Sequence, residues 1–584
     1  MPNVTPITLS IAHINDTHSH FEPTPLSLAV NGLDERIYAA VGGFPRISSV
    51  VKAFRESAKN DSDGFLFLHA GDCFQGTLYY SLFKGDANAT LLNMLGLDAM
   101  ALGNHELDLG NAPVSRFLDK ITFPLLAGNW DVSEEVEKPF PVKGKRQLMP
   151  YNPEAQRAEV LVKRIGDQKV AIFSVALDKM ADIAMPDHDT PFVDSKQTAI
   201  NTIRYIHEEL KTPHIVLLSH LGYAQDQKLA EEVDGISVIV GGHSHVLQGD
   251  FSNVGLGDMG PYGHKVNDTL VVQAGCHSLA IGKLKVSLDK HGKVVSYEGG
   301  NFLMLGRSLA VDASWDQSLP NGAFKDAKAY LLAQPNVIHC RGDEEIKKVI
   351  NERYRPAVDE LKRDVVTTLP SRLRHIRVPD DKGGSEIAPL VCEAMIYSAK
   401  TRGVNADFAI HNAGGVRVSL EKGKLTAADV AGRLLPFAID LMLYHATGLQ
   451  IKQALEGAID NALNNGVEGT GDGSFPYTAG LRYNYVCDQP KGQRIAQLEA
   501  QQEDGSWLAV DLEKTYLAVS SAYTSQGKEG YDALKNLRKQ PTSLHVTLAE
   551  SFIEFARTKG ELVAPSSILS RYKPCTDCAS TNPR

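Results

Sequence analysis

Ile236-Ser237-Val238-Ile239-Val240-Gly241-Gly242-His243-Ser244-His245 is a short apolar run that passes into a double glycine and then a His-x-His pair. The run has strand length, is rich in β-branched residues and is closed by glycine. In open α/β sheets, ligands bind beyond the carboxyl ends of the strands. Two imidazoles at such a point are therefore the first sign of a site.

Four other apolar runs end in the same way. His13-Ile14-Asn15-Asp16-Thr17-His18 closes the run Ile7–Ile14, and Gly71-Asp72 follows Phe65–Leu68. Gly103-Asn104-His105-Glu106 follows Ala99–Leu102, and Ser219-His220 ends Ile215–Leu218. Further strand-like runs lie at Val170–Val175 and Leu270–Gln273, with helical patterns at Phe44–Ala58 and Thr198–Leu210. Strands alternating with helices predict an α/β layer structure. Taken singly, each polar tip has an ordinary reading: Asp and Asn form turns and helix caps, and a lone His is more often hydrogen-bonded structure than a ligand. Five such tips at strand ends of one α/β unit point to a metal site instead.

The residue types fit that chemistry. A pair of divalent cations about 3.5–4 Å apart needs a bridging carboxylate, and borderline metals accept oxygen and imidazole together. Asp72 is the natural bridge. Asp16-x-His18 and His243-x-His245 place alternate side chains of an extended segment on one side. Such a pair of cations activates water near neutral pH for in-line attack on phosphorus. His105 is left off the metal list. Asp108, three residues on, is within helical reach of it. A carboxylate-held imidazole suits protonation of a leaving oxygen, although Asp108 equally fits a first-turn acid of a helix.

The rest of the chain sets bounds. With 584 residues it exceeds a single compact core, so two or three domains are expected. Asp343 to Arg363 is highly charged and helical, with Pro356 placed to kink it. A second α/β stretch follows, with apolar segments at Ile387–Ala399, Phe408–Ile410, Leu449–Ile459 and Tyr516–Val519. The formal net charge of −10 argues against gripping a nucleic-acid polymer, which needs clustered Lys and Arg. No apolar run approaches 18 residues, so no membrane span is expected. The first ten residues carry no secretory signal pattern. The expected compartment is the cytoplasm, or the periplasm if a signal has been removed. Seven scattered cysteines do not form a disulfide framework. Cys575-x-x-Cys578 reads as a flexible thiol pair, or a disulfide if the protein is exported.

The blocks D-x-H, G-D-x-x-x-G, G-N-H-E-x-D, H-x-G and G-G-H-S-H resemble, in order and spacing, those of the 5′-nucleotidases and UDP-sugar hydrolases of the calcineurin-like metallophosphoesterase superfamily. The resemblance implies an N-terminal four-layer α/β/β/α metallophosphoesterase domain over residues 1–340, a linker helix over 341–366 and a C-terminal α/β substrate-binding domain over 367–584. It implies one cation on Asp16, His18, Asp72 and His245, and a second on Asp72, Asn104, His220 and His243, with His105 and Asp108 as the catalytic pair. His245 stands where many members have Gln. The two ions would be Mn, Zn, Co or Fe.

Asn412-Ala413-Gly414-Gly415-Val416-Arg417 resembles the family's N-x-G-G-x-R signature. By that likeness Arg377, Asn412 and Arg417 contact substrate, Phe437 and Tyr523 stack on a base, and Glu529 meets the ribose. Several positions depart from the family. Tyr523 replaces the usual Phe, Glu529 replaces an Asp, and Asp381 stands where a second phosphate-clamping Arg is common. The implied activity is metal-dependent hydrolysis of nucleoside 5′-monophosphates. The alternatives are a cyclic nucleotide phosphodiesterase, a nucleotide-sugar or dinucleotide pyrophosphatase on the same metals, and a nucleotide-binding protein with an inactive metal site. The oligomeric state is not readable from the sequence.

Overall fold

Two large β-sheets stack face to face in the N-terminal part of the computed structural model, which describes residues 4–30, 36–310, 321–464, 471–486, 489–565 and 570–573. The chain divides into two compact units. The first comprises Met1–Gln75 and Phe83–Arg355; the second comprises Gly76–Leu82 and Pro356–Arg584. The boundary at Arg355 falls within the charged helical stretch Glu344–Arg363. There a π-helical turn, Ile350–Tyr354, directly precedes the segment Arg355–Arg363 that contains Pro356. Proline has no N–H to continue a regular ladder.

The larger sheet of the first unit has 11 strands. At its centre Ile7–Ile14, Gly64–His69, Ala99–Ala101 and Leu125–Ala127 run parallel side by side. The second sheet has six strands, with Gln168–Ala176, Ile215–His220, Val238–Gly241 and Thr269–Val272 parallel at its centre. Period-two alternation builds the layers. Leu9, Ile11, Leu66 and Leu68 from one sheet meet Ile172, Val216, Leu218 and Val240 from the other in a buried core. The intervening residues of the second sheet, such as Phe173, Leu217 and Ile239, face outward. They pack with Ala199 and Ile203 of helix Ser195–Tyr205 and Leu229 of helix Tyr223–Glu232. On the other side, helix Phe44–Asn60 buries Ile47, Val50 and Val51, an i, i+3, i+4 stripe, against the larger sheet. This is the α/β/β/α sandwich expected from the sequence. Because the central strands are parallel, Ile14, His69 and Ala101 end on one rim of the first sheet. His220 and Gly241 end together on the second, through the register Ser219↔Gly241.

The second unit holds a five-stranded sheet in the order Pro476–Ala479, Phe408–Asn412, Thr515–Ser521, Asp440–Thr447, Thr542–Thr547, with a four-stranded sheet beside it in the same unit. Helices Ala388–Thr401, Gly448–Asn464 and Leu548–Arg557 contribute to its core. Cys575, Cys578 and the C-terminal tail lie outside the described residues. No helix among the described residues is long and apolar enough to cross a membrane.

Candidate metal centre

The loop after strand Ile7–Ile14 is stitched to the loop after Gly64–His69. Asp16 N–H donates to the Gly71 carbonyl at 2.9 Å and His18 N–H to the Asp72 carbonyl at 3.1 Å. These turns require unusual backbone. Asp16, His18, Asp72, His243 and His245 all have positive φ, between 45° and 72°. Side chains resist that left-handed region at a cost of order 1–3 kcal/mol each, and such strain collects at functional sites. Gly103 is required for a different reason: a Cβ there would lie 2.2 Å from Asp72 Oδ1.

The side chains so held converge. Three groups of ligand atoms each lie within 4.8 Å of one another: Asp16, His18 and His245; His18, Asp72 and His105; and Asp72, His220 and His243. His18 Nε2 and His245 Nε2 are 3.2 Å apart, and His245 Nε2 is 3.4 Å from Asp16 Oδ1. His220 Nε2 lies 3.2 Å from Asp72 Oδ2 and 3.2 Å from Asn104 Oδ1, while His243 Nδ1 is 2.9 Å from the same Asn104 oxygen. All seven residues read from the sequence as ligands are therefore brought to one place. His105 and Asp108 join them, with Nδ1 and Oδ2 2.7 Å apart and His105 N–H on Asp72 Oδ1 at 2.9 Å.

The ring orientations fit divalent cations. His18 Nδ1 lies 3.1 Å from the Phe74 carbonyl and His220 Nδ1 lies 2.7 Å from the Ala70 carbonyl. A carbonyl only accepts, so each Nδ1 carries the proton and each Nε2 presents a lone pair to the cluster. Burial, with His105 next, holds His18 well below the ordinary imidazole value, so a proton does not occupy that lone pair at neutral pH. Burial alone would raise Asp72, but His220, His105 and His18 hold its carboxyl well below the usual range. Burial also opposes charging of His220 and His245. The carboxylates of Asp72 and Asp16 nevertheless lift them to about 10 and about 11. That negative potential is what a divalent cation satisfies in place of a proton.

Sequence reasoning assigned no role to the residues that hold the loops. Buried Glu106 accepts the backbone N–H groups of Asp72, Cys73, Phe74 and Gly103 at 2.7–3.0 Å, clamping two ligand loops together. Its place in the G-N-H-E block was the available signal. Gln273 does the same for the His-x-His loop, donating to the Gly242 carbonyl at 2.7 Å and accepting from Val246 N–H at 2.6 Å.

In the second unit Arg377 is ion-paired with Asp472 at 2.7 Å, a partner the sequence did not suggest. The Arg417 guanidinium lies 5.6 Å from the centre of the Phe437 ring. Asn412 Oδ1 accepts from Thr524 Oγ1 at 3.3 Å, next to Tyr523. Phe437 and Tyr523 are both half-buried, which is not the full burial of ordinary core aromatics. Glu529 has φ 46° and its carboxyl is pushed up to about 7 by burial, against the opposing pull of Arg377 and Arg417 and a hydrogen bond with Tyr523.

Residues 9–247 match the calcineurin-like phosphoesterase family model, and residues 365–536 match the 5′-nucleotidase C-terminal domain. A probable 5′-nucleotidase of Treponema pallidum is 33% identical over 97% of this chain and 94% of its own length. The NAD 5′-nucleotidase of Haemophilus influenzae is 29% identical over 98% of this chain and 94% of its own. Among solved structures, a 5′-nucleotidase precursor from Thermus thermophilus superposes with a TM-score of 0.70 at 29% identity, covering 97% of this chain and 99% of that one.

Proposed function

The chain belongs to the 5′-nucleotidase family of calcineurin-like metallophosphoesterases, and on that premise we propose that it hydrolyses nucleoside 5′-monophosphates to nucleoside and orthophosphate with two divalent cations. The observation that carries this reading is the Asp72 carboxylate, which belongs to two ligand clusters at once. In this reading Asp16, His18, Asp72 and His245 hold one cation, and Asp72, Asn104, His220 and His243 hold the other. The bound cations supply the Lewis-acid charge that activates water and neutralises phosphoryl oxygens. His105, oriented by Asp108, gives a proton to the departing 5′-oxygen. Nucleoside recognition is assigned to the second unit. Arg377, Asn412 and Arg417 offer donors, Phe437 and Tyr523 stack on the base, and Glu529 accepts from the ribose hydroxyls.

The Arg377–Asp472 pair favours a second reading of the substrate. An arginine already matched by a carboxylate has less charge to offer a dianionic monoester. A nucleotide diphosphate linkage, with one negative charge on each bridging phosphate, needs less. Chromatographic product analysis, with added Mn²⁺, Zn²⁺ or Co²⁺, separates the readings: nucleoside monophosphates give nucleoside and orthophosphate, whereas nucleotide sugars and dinucleotides cleaved at the diphosphate give two phosphate monoesters. Turnover of the diphosphates with none of any monophosphate would reject the first.

A further inference from the structure

Beside the first turn of helix Phe44–Asn60, the first unit carries a cleft of about 480 Å³ whose lining includes Glu22, Arg46, Gly306, Cys340, Arg341 and Lys347. No residue of the Asp72 cluster lines it. Arg46 is the unusual member. It is 9% exposed and sits in the first helical turn, where the helix dipole disfavours a cation. Its Nη1 donates to the carbonyls of Ala40 at 2.8 Å and Gly42 at 3.0 Å. Among the described residues nothing accepts from Nη2 or Nε, so one edge of a buried guanidinium fork is left facing the cleft. Nη2 lies against Gly306, where a Cβ would come within 2.1 Å, so a larger residue there would close the approach to that edge.

The charges around it point the same way. The acids on the wall are already matched, Glu22 by Arg355 and Glu344 by Lys347. Arg341 is exposed and has no acidic partner among the described residues. The wall is thus cationic in a chain of formal net charge −10. A guanidinium edge presents two parallel donors, the geometry that tetrahedral and planar oxyanions accept.

We propose that this cleft is a second, non-catalytic site that takes a small phosphate-class oxyanion on the free edge of Arg46, with Arg341 closing over it. The free thiol of Cys340 on the same wall is the reporter. The rate of Cys340 alkylation in the metal-loaded full chain, read by peptide mass spectrometry, is titrated with inorganic phosphate against chloride of equal ionic strength. At ten times the dissociation constant the open fraction, and with it the rate, falls about elevenfold. The protection persists in Asp72→Ala and is lost in Arg341→Gln and in Arg46→Lys, which keeps the charge without the fork. Because Arg341 is exposed, its variant tests the site even if Arg46→Lys does not fold. Equal rates in phosphate and chloride, full protection in Arg341→Gln, or loss of protection in Asp72→Ala would each overturn the assignment.

Discussion

His220 reaches Asp72 with one nitrogen, Nε2 to Oδ2 at 3.2 Å, while its other nitrogen is fixed on the Ala70 carbonyl at 2.7 Å. The second sheet thus delivers a candidate ligand whose ring is oriented by the backbone of the first. Asp72 also lies with His18 and His105 in a second group of possible ligand atoms, so it is the proposed bridge. Replacing Asp72 with Ala is expected to abolish phosphoesterase activity and to remove both cations together. Metal analysis by mass spectrometry on the purified variant checks this. Two cations at full occupancy would remove the bridging role.

Glu106 tests the loops themselves. Its carboxylate accepts four buried backbone N–H groups. Leaving a buried donor unmatched costs about 1–3 kcal/mol. Glu106→Ala should therefore lower thermal stability markedly. Glu106→Gln keeps the shape but puts an NH₂ where an acceptor is needed, and should weaken metal affinity about 10–100-fold, the usual effect of losing a residue that orients ligands. Calorimetric metal titration reads the difference. Wild-type affinity in Glu106→Gln would show that the clamp does not govern the site.

His105→Ala should retain both cations, yet lose on the order of 10²–10⁴ in turnover of nucleoside monophosphates. The loss should shrink for aryl phosphates, whose leaving groups need no proton. Equal losses on both substrates would assign His105 to binding or structure instead.

The sandwich was legible because strands buried on both faces write themselves as apolar runs, and because every candidate ligand sits at the end of one. The candidate ligand loops followed from residue type and position, and the choice of seven ligands within them from the family resemblance. Two kinds of feature did not. The 17-residue strand Val294–Ala310 is interrupted by glycines at 299, 300 and 306, which read locally as breaks. Its partners make it a strand: Ala280–Leu288 pairs with its first part, and Ile37–Val41 and Val337–His339 pair with its end. Asp472, in a Gly-Asp-Gly run that reads as an ordinary turn, meets Arg377 from 95 residues away. Such a pairing is a property of the folded chain, with no local pattern to announce it. Likewise Ile387–Ala399 and Leu449–Ile459 were plain apolar segments in the sequence, and they fold as the helices Ala388–Thr401 and Gly448–Asn464.

Glu529 supplies a pH signature. Its carboxyl is raised to about 7 chiefly by burial, so it is largely neutral below that pH and ionised above. An ionised carboxylate is the stronger acceptor for two ribose hydroxyls. The ratio of kcat/KM for a ribonucleotide over its 2′-deoxy analogue should therefore rise as pH passes upward through about 7. Taking the ratio cancels titration of the phosphate and of the metal centre, which both substrates share. Glu529→Gln should flatten the profile. A wild-type ratio that stays constant across this range would exclude Glu529 from ribose recognition.

The aromatic pair separates nucleoside binding from phosphoester chemistry. Phe437 and Tyr523 are half-buried, with the Arg417 guanidinium near the Phe437 ring. Base stacking typically contributes about 1–3 kcal/mol per base on alanine substitution. The contact exists in the ground state and persists through the reaction. Its loss should raise KM about 5- to 150-fold with kcat little changed. An aryl phosphate has no base to stack, so its hydrolysis should be nearly intact in Phe437→Ala and Tyr523→Ala. Thermal melts identify variants that fail for structural reasons, since misfolding would lower both activities together. If both variants fold and the nucleotide KM does not move, the base is not held here. The second unit would then share the family's fold while selecting its ligand by other contacts.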